Sequence, residues 1–152
     1  MRVLRLAILI ALVASEAQAQ QRIPSVVRAA IEENRKACEP DKFATDTGFL
    51  TRRDVNADGI DDFILDYGKA ACGDSTSYFC GSAGCVTQVF VSLPQGEYTK
   101  VLDENVRGLR FQRVKGRPAM MLGLHGSACG RSGAAPCNAT LFWNGLKFSP
   151  AN

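Results

Sequence analysis

The sequence has few of the residues and motifs that catalytic and zinc centres commonly use. Histidine occurs once, as His125, and the six cysteines include no Cys-x-x-Cys pair. Zinc is therefore disfavoured, because structural zinc takes four Cys or His ligands at paired spacings. The chain also contains neither a Gly-x-Ser-x-Gly elbow nor a His-Glu-x-x-His motif, the signatures of many serine hydrolases and zinc proteases. These absences predict a protein with no evident catalysis.

Excess charge and long apolar runs are also scarce. The formal net charge is only +3 over 152 residues, which is too small to argue for nucleic-acid or membrane binding. Beyond the N-terminal segment, no apolar run approaches the roughly 20 residues of a transmembrane helix. We therefore expect the protein to bind an unidentified protein or glycan, and not a nucleic acid or a membrane. The one local concentration of basic residues has the spacing of the solvated side and turn of a hairpin: Arg107, Arg110, Arg113, Lys115 and Arg117.

The N-terminal segment 1–19 has the pattern of a secretory signal peptide. Arg2 and Arg5 precede an apolar run at 6–13, and a small-x-small cleavage sequence ends at Ala19. Cleavage after Ala19 would leave residues 20–152 as a single domain, which is long enough to bury a core. The expected location of the mature chain is periplasmic or secreted.

Six cysteines in an exported chain indicate disulfide bonds. Six cysteines allow fifteen pairings, so the sequence alone leaves the connectivity open. Local closure favours two short loops, one around Gly-Ser-Ala-Gly and one around a segment rich in Gly, Ser, Ala and Pro, and it leaves one long-range pair. The favoured pairs are Cys80 with Cys85, Cys129 with Cys137, and Cys38 with Cys72.

The hydrophobic periodicity predicts one helix followed by short strands. Apolar residues recur at three-four spacing from about Pro24 to Cys38, which indicates an amphipathic helix. Alternating or apolar runs joined by turns then predict strands, whereas segment 69–85 is too rich in small residues for regular structure. Asn144-Gly145 is a strong signal for a final hairpin. The expected fold is α+β, with the N-terminal helix packed on an antiparallel β-meander of about seven or eight short strands, stapled by disulfides.

The densest pattern of metal-type ligands lies between Asp54 and Asp62. Oxygen-bearing side chains stand at alternate positions, followed by Gly59 and a further carboxylate. Calcium takes six to eight oxygen ligands from flexible loops of this kind, and a glycine allows the bend that turns a carbonyl inward. A metal-free turn is the alternative, because Asp and Asn side chains also bond to nearby backbone amides. The predicted calcium ligands are Asp54, Asn56, Asp58, Ile60 through its carbonyl, and Asp62.

This stretch is a poor EF-hand, because Leu65 occupies the twelfth position and both flanks have the pattern of strands. It resembles the calcium loop of FG-GAP and VCBS-type repeats, the blades of integrin-like propellers. The likeness consists of Asp-x-Asn-x-Asp-Gly-x-x-Asp followed at once by Phe63-Ile64-Leu65. It covers about residues 50–68 and occurs once, so it implies a calcium loop without the propeller. The chain is also similar to small exported bacterial proteins, through segments 80–85 and 125–130, and this likeness implies no mechanism.

Three further residues are candidates for chemistry or binding. His125 ends the most apolar strand beside Gly126-Ser127, where a structural role is favoured over catalysis. Tyr78 and Phe79 lie in a cysteine-rich loop, where exposed rings could stack on a sugar or grip a partner. The leading interpretation is an exported calcium-binding structural or binding module. The alternatives are an inhibitor-like binder of a cell-envelope enzyme, which would use the two disulfide loops, and a hydrolase that uses His125.

Overall fold

The computed structural model describes residues 22–151, so the signal peptide predicted for residues 1–19 lies outside the described residues. This part of the chain contains one α-helix, α1 (Ser25–Ala37), and eleven strands. The strands are β1 (Phe43–Thr45), β2 (Leu50–Arg53), β3 (Asp62–Asp66), β4 (Ala70–Cys72), β5 (Cys80–Gly81), β6 (Gly84–Ser92), β7 (Tyr98–Val106), β8 (Gly108–Val114), β9 (Arg117–Leu124), β10 (Cys137–Trp143) and β11 (Phe148–Pro150). Two short 3-10 turns span Tyr67–Lys69 and Gly126–Cys129.

The elements form three layers around a central antiparallel sheet. In this central sheet β2, β3, β6 and β7 lie side by side, and β5 pairs with the first residues of β6. One face is covered by α1, with the short pair β1–β4 beside it. The other face packs against an outer sheet in the order β11-β10-β9-β8. Because the central sheet is covered on both faces, the apolar run Val89-Phe90-Val91 in β6 is fully buried.

Two hydrophobic cores lie on the two sides of the central sheet. The helix-side core joins Val27 and Ala30 of α1 to Phe63, Leu65 and Phe90 of the central sheet. The sandwich core, between the two sheets, has the following fully or nearly buried members: Val55, Val89, Val91, Leu102, Val106, Met120, Leu122 and Phe148. Each large side chain buried in this way contributes about 1.5–3 kcal/mol to stability. The two cores together fix the positions of the loops and edges described below.

The helix is confirmed to within one residue at each end, but the strand prediction needs correction. The fold is β-rich with eleven strands in the described residues, where about seven or eight were expected. Segment 69–85 contains β4 and β5, because β4 finds its partner in β1, far away in the sequence. The final hairpin closes at Trp143 and Phe148. Its turn is therefore wider than two residues, with Asn144 Oδ1 accepting the N–H groups of Leu146 and Lys147.

Three disulfides are present, and their pairing is the one that local closure favours. Cys38–Cys72 ties the end of α1 to β4, and Cys80–Cys85 joins paired residues of β5 and β6. Cys129–Cys137 closes the loop before β10. Disulfides persist in oxidising compartments, so these bonds are consistent with an extracellular or periplasmic location. Between residues 22 and 151, no helix is both long enough and apolar enough to cross a membrane.

Candidate functional site

The acidic stretch forms the tip of the β2–β3 hairpin, as its flanking strand patterns predict. The ladder closes at Arg53 and Asp62, and the loop lies between them. At its outer end, Asp54 Oδ1 accepts the N–H of Ala57 at 2.6 Å, and Asp54 Oδ2 accepts the N–H of Gly59 at 3.0 Å. Gly59 has φ +86°, a conformation that glycine adopts without strain. The aspartate at the start of the loop therefore holds the bend by bonding to its backbone.

Asp62 anchors the inner end of the loop to the central sheet. It is fully buried, and its Oδ2 accepts the N–H groups of Val55 and Asn56 at 2.7 and 3.3 Å. Its Oδ1 accepts the N–H of Ser92, at the end of β6, at 2.8 Å. Burial raises the pKa of Asp62 above its ordinary value, and repulsion from Asp58 adds to this, whereas the hydrogen bonds from Ser92 and Val55 act in the opposite direction.

Asp58 and Asp62 converge on one hydroxyl group. Ser92 Oγ lies 2.6 Å from Asp58 Oδ2 and 3.1 Å from Asp62 Oδ1, yet a hydroxyl has one proton to donate. Burial raises the pKa of Asp58, but hydrogen bonds from Ser92, the N–H of Ile60 and Asn56 outweigh it and leave the pKa below its ordinary value. Within residues 22–151, neither carboxylate has a salt-bridge partner. The two carboxylates thus carry negative charge that no basic side chain of the described residues pairs with.

The residue types of the loop suit a hard cation, whereas their arrangement serves the backbone. Asn56 and Asp62 are buried, while Asp54 and Asp58 lie nearer the surface. Asn56 Oδ1 accepts the N–H of Asp58, and the N–H of Ile60 bonds to Asp58 Oδ1. In the described part of the chain, no group of three or more Asp, Glu, His or Cys side chains is placed to hold a metal ion. The hydrogen bonds match an Asx-rich turn, and calcium binding stays a prediction.

His125 lies in a structural setting. Its Nδ1 is 2.7 Å from Ser127 Oγ and accepts the N–H of Ser127, so the ring caps the 3-10 turn that follows. The ring also packs against Gly133, where an added Cβ would lie 2.3 Å from Nε2. Among the residues described, no carboxylate bonds to this ring, and it lines none of the three main cavities. A hydrolase would need both an orienting acid and a substrate pocket.

Of the two aromatic candidates, Phe79 is buried, contrary to the expected exposure, and Tyr78 is exposed. Phe79 is only 7 % exposed, and its ring packs edge-on or tilted against Phe43 and Tyr67 in the helix-side core. Tyr78 is 52 % exposed, but its hydroxyl donates to the carbonyl of Ala37 at 2.8 Å. The pair therefore joins the cysteine-rich loop to the end of α1, with one ring inside and one outside.

The largest of the three cavities is an open cleft of about 740 Å³ between the two sheets. β2 forms one edge of the central sheet and β8 forms one edge of the outer sheet, and residues of both strands line the cavity. We name it the inter-sheet cleft and define it by its lining residues: Gly48, Thr51, Arg53, Ile64, Asp66, Gly68, Lys69, Cys85, Thr87, Val106, Arg107, Gly108, Leu109, Arg110, Phe111 and Gln112. It combines apolar surface from several strands with polar side chains.

The charged residues of the inter-sheet cleft are mostly basic. Arg53, Lys69, Arg107 and Arg110 line it, against the single acid Asp66. Asp66 Oδ1 is engaged by the N–H of the nearby residue 68, at 2.9 Å. In residues 22–151 none of the four cations forms a salt bridge. Arg53 donates to the carbonyl of Phe111 and Arg107 to that of Ser82, and both acceptors are neutral. The cleft therefore keeps an excess of positive charge.

The sequence did not reveal this cleft. The sequence pattern places Arg107 and Arg110 on the solvated side of a hairpin, and both are exposed on or next to the β8–β9 hairpin. What the sequence could not show is that Arg53 and Lys69, from a distant part of the chain, line the same cavity. The available signal was the alternation of basic residues with Leu109 and Phe111, which indicates a strand with one polar side and one apolar side.

Together, the fold and its site define a small, β-rich, disulfide-bonded domain with one helix and an open, basic cleft between its sheets. Comparisons of the chain with models of protein families, with curated proteins and with solved structures found no match. The likeness to FG-GAP and VCBS-type calcium loops therefore rests on the residues of the loop alone.

Proposed function

We propose that the protein is an exported binding module whose ligand occupies the inter-sheet cleft. The observation that carries this proposal is the cleft itself, since its volume of about 740 Å³ lies in the range of roughly 300–1,000 Å³ that ligand pockets occupy. Ile64, Val106, Leu109 and Phe111 supply apolar surface for affinity, and the basic residues supply orientation. The three disulfides support export.

The test is selection of ligands by the purified protein from a random peptide display library and a glycan array. Selected ligands should bind about tenfold more weakly to the Arg110→Ala variant, because this exposed side chain lines the cleft. The matched control is Arg131→Ala, an exposed arginine in the Cys129–Cys137 loop. Ligands that bind all variants equally would contradict the proposal. Ligands lost instead on Tyr78→Ala would favour the inhibitor-like use of a disulfide loop.

A second proposal concerns calcium at the acidic loop. It is favoured by the unneutralised charge there and by the single hydroxyl proton that Asp58 and Asp62 share. We propose that calcium acts as a structural ligand, held by Asp54 and Asp58 nearer the surface, while Asp62 keeps its bonds to the backbone. A bound cation would offset the repulsion among the carboxylates of Asp54, Asp58 and Asp62. An affinity of roughly 10⁻⁴–10⁻³ M, typical of extracellular modules, would suffice.

Calorimetric titration and thermal unfolding test the calcium proposal. At calcium tenfold above the dissociation constant, the free energy of unfolding should rise by roughly 1.4 kcal/mol. The double variant Asp54→Asn/Asp58→Asn should lose this gain. The control Asp74→Asn, which removes an exposed charge outside the loop, should keep it. An absence of both binding heat and stabilisation at millimolar calcium would contradict the proposal. The acidic loop would then be a metal-free, Asx-rich turn.

A further inference from the structure

The strand that borders the inter-sheet cleft, β8, presents an open edge. It ends the outer sheet and, among the described strands, pairs with β9 alone. The carbonyl of Phe111 accepts a hydrogen bond from Arg53 Nη2 of β2, at 3.3 Å, so this carbonyl points away from β9 and into the cleft. In an antiparallel pair, the N–H and C=O of one residue point to the same side, and alternate residues share that side. The backbone groups of Leu109 and Phe111 therefore face the cleft.

The charges around this open edge are complementary to an anionic ligand. Arg53, Lys69, Arg107 and Arg110 contribute four positive charges, and Asp66 is the single acid. The side chains of Lys69 and Arg110 form no hydrogen bond or salt bridge with the rest of the described chain. A ligand that brings carboxylates to them would gain attraction without first breaking a contact.

We infer that the inter-sheet cleft receives an extended, acidic peptide segment of a partner protein, which adds to β8 as a further strand. This inference rests on the proposed binding function and names its ligand. The backbone of the segment would bond to the cleft-facing backbone groups of Leu109 and Phe111. Acidic side chains on one side of the segment would meet Lys69 and Arg110, and apolar side chains on the other would cover Ile64 of the cleft.

On binding of such a segment, Arg53 would exchange one hydrogen-bond partner for another. In the free protein its guanidinium bonds to the carbonyl of Phe111 and lies over the ring of that residue, 6.0 Å from its centroid. The incoming strand takes over that carbonyl and releases the guanidinium, which then pairs with a carboxylate of the segment. A single bond from the guanidinium to a neutral carbonyl is thereby replaced by an ion pair with a carboxylate, which arginine can hold through two parallel N–H···O bonds.

An acidic glycan would satisfy the cations equally well, but it would leave the backbone edge unused. A peptide satisfies both features, because its own N–H and C=O groups repeat at the spacing of the β8 backbone. The seven residues of β8 set the length of the segment at about five to seven residues, the usual length of a short strand. The peptide therefore accounts for more of the cleft than a glycan does.

The test measures binding of an acetylated, amidated heptapeptide of alternating Glu and Val to the full protein, by fluorescence anisotropy. Two control peptides accompany it, one with Lys in place of Glu and one N-methylated at its valines, which retains the charge but removes ladder donors. The acidic peptide should bind, and both controls should bind at least about tenfold more weakly. On binding, hydrogen exchange at the amides of Leu109 and Phe111 should slow.

Matched protein variants complete the test. Lys69→Glu/Arg110→Glu should weaken binding of the acidic peptide by at least about tenfold. Lys36→Glu/Lys147→Glu, an equal change of charge at exposed residues outside the cleft, should change it by less than about twofold. Circular dichroism and thermal unfolding verify that each variant folds.

Four outcomes would overturn the inference. Equal binding of the N-methylated peptide would mean that the cleft recognises only the charge of the peptide and not its backbone. Tighter binding of an oligogalacturonate, also lost in the Lys69/Arg110 variant, would assign the cleft to an acidic glycan. Absence of all binding would mean that the cations only protect an exposed edge from aggregation. Library ligands that need the cleft but carry no acidic residues would sink this inference and leave the proposed binding function standing.

Discussion

At the scale of single residues, Asp62 is the polar side chain on which the acidic loop depends most. Its carboxylate accepts three backbone N–H groups, from Val55, Asn56 and Ser92, in a fully buried position. Asp62→Ala should lower the free energy of unfolding by about 3 kcal/mol or more, because each buried donor left without a partner costs about 1–3 kcal/mol. Urea denaturation measures the loss. The adjacent, exposed Asp61 provides the control, since Asp61→Ala should cost less than about 0.5 kcal/mol, and equal losses would refute the anchoring role.

Residue-level prediction succeeds where the signal is local. The alternating Asp and Asn side chains predict a tight loop because each can bond to amides two to five residues away, and Asp54 does so. The burial of Asp62 was not predictable in this way, because its partner Ser92 lies 30 residues further along the chain. The burial of Phe79 was not predictable for the same reason. The rings that enclose it, Phe43 and Tyr67, come from elements that the sequence does not place beside it.

At the scale of elements, the three disulfides close loops of very different length. Their cysteines are separated by 34, 5 and 8 residues, in the order Cys38–Cys72, Cys80–Cys85 and Cys129–Cys137. In the chain-entropy model, replacing both cysteines of the longest loop by Ala should cost about 4 kcal/mol, and the shortest about 2 kcal/mol. Denaturant unfolding of the three double variants gives the order. A larger loss for the Cys80/Cys85 variant than for the Cys38/Cys72 variant would contradict the entropic account.

Elements that carry their own pattern were the predictable part of the fold. Helix α1 shows the three-four spacing of Val27, Ala30 and Ile31, and the structure confirms it. Strands β4 and β5 have only three and two residues, so no periodicity can develop within them. Their structure comes from pairing with β1 and β6. The inter-sheet cleft is lined by residues from both sheets, so the sequence pattern of no single element predicts it.

At the scale of the whole molecule, the central sheet belongs to both cores at once. Consecutive residues of β3 alternate between them, with Phe63 and Leu65 in the helix-side core and Ile64 packed on the sandwich core. In β6, Phe90 faces one core and its neighbour Val89 faces the other. If the central sheet unfolds, both cores therefore lose their packing. This argues for a single cooperative unfolding unit.

Two probes on opposite sides of the central sheet test this coupling. The far-ultraviolet helix signal reports on α1, and fluorescence reports on Trp143, whose ring lies 5.2 Å from that of Phe148 beside the sandwich core. The two unfolding curves should coincide in the original protein. Leu65→Ala, a substitution in the helix-side core, should lower the free energy of unfolding by about 3 kcal/mol. Because both cores share the central sheet, Leu65→Ala should shift both unfolding curves equally. A Trp143 transition that keeps its original midpoint would show that the sandwich core unfolds independently.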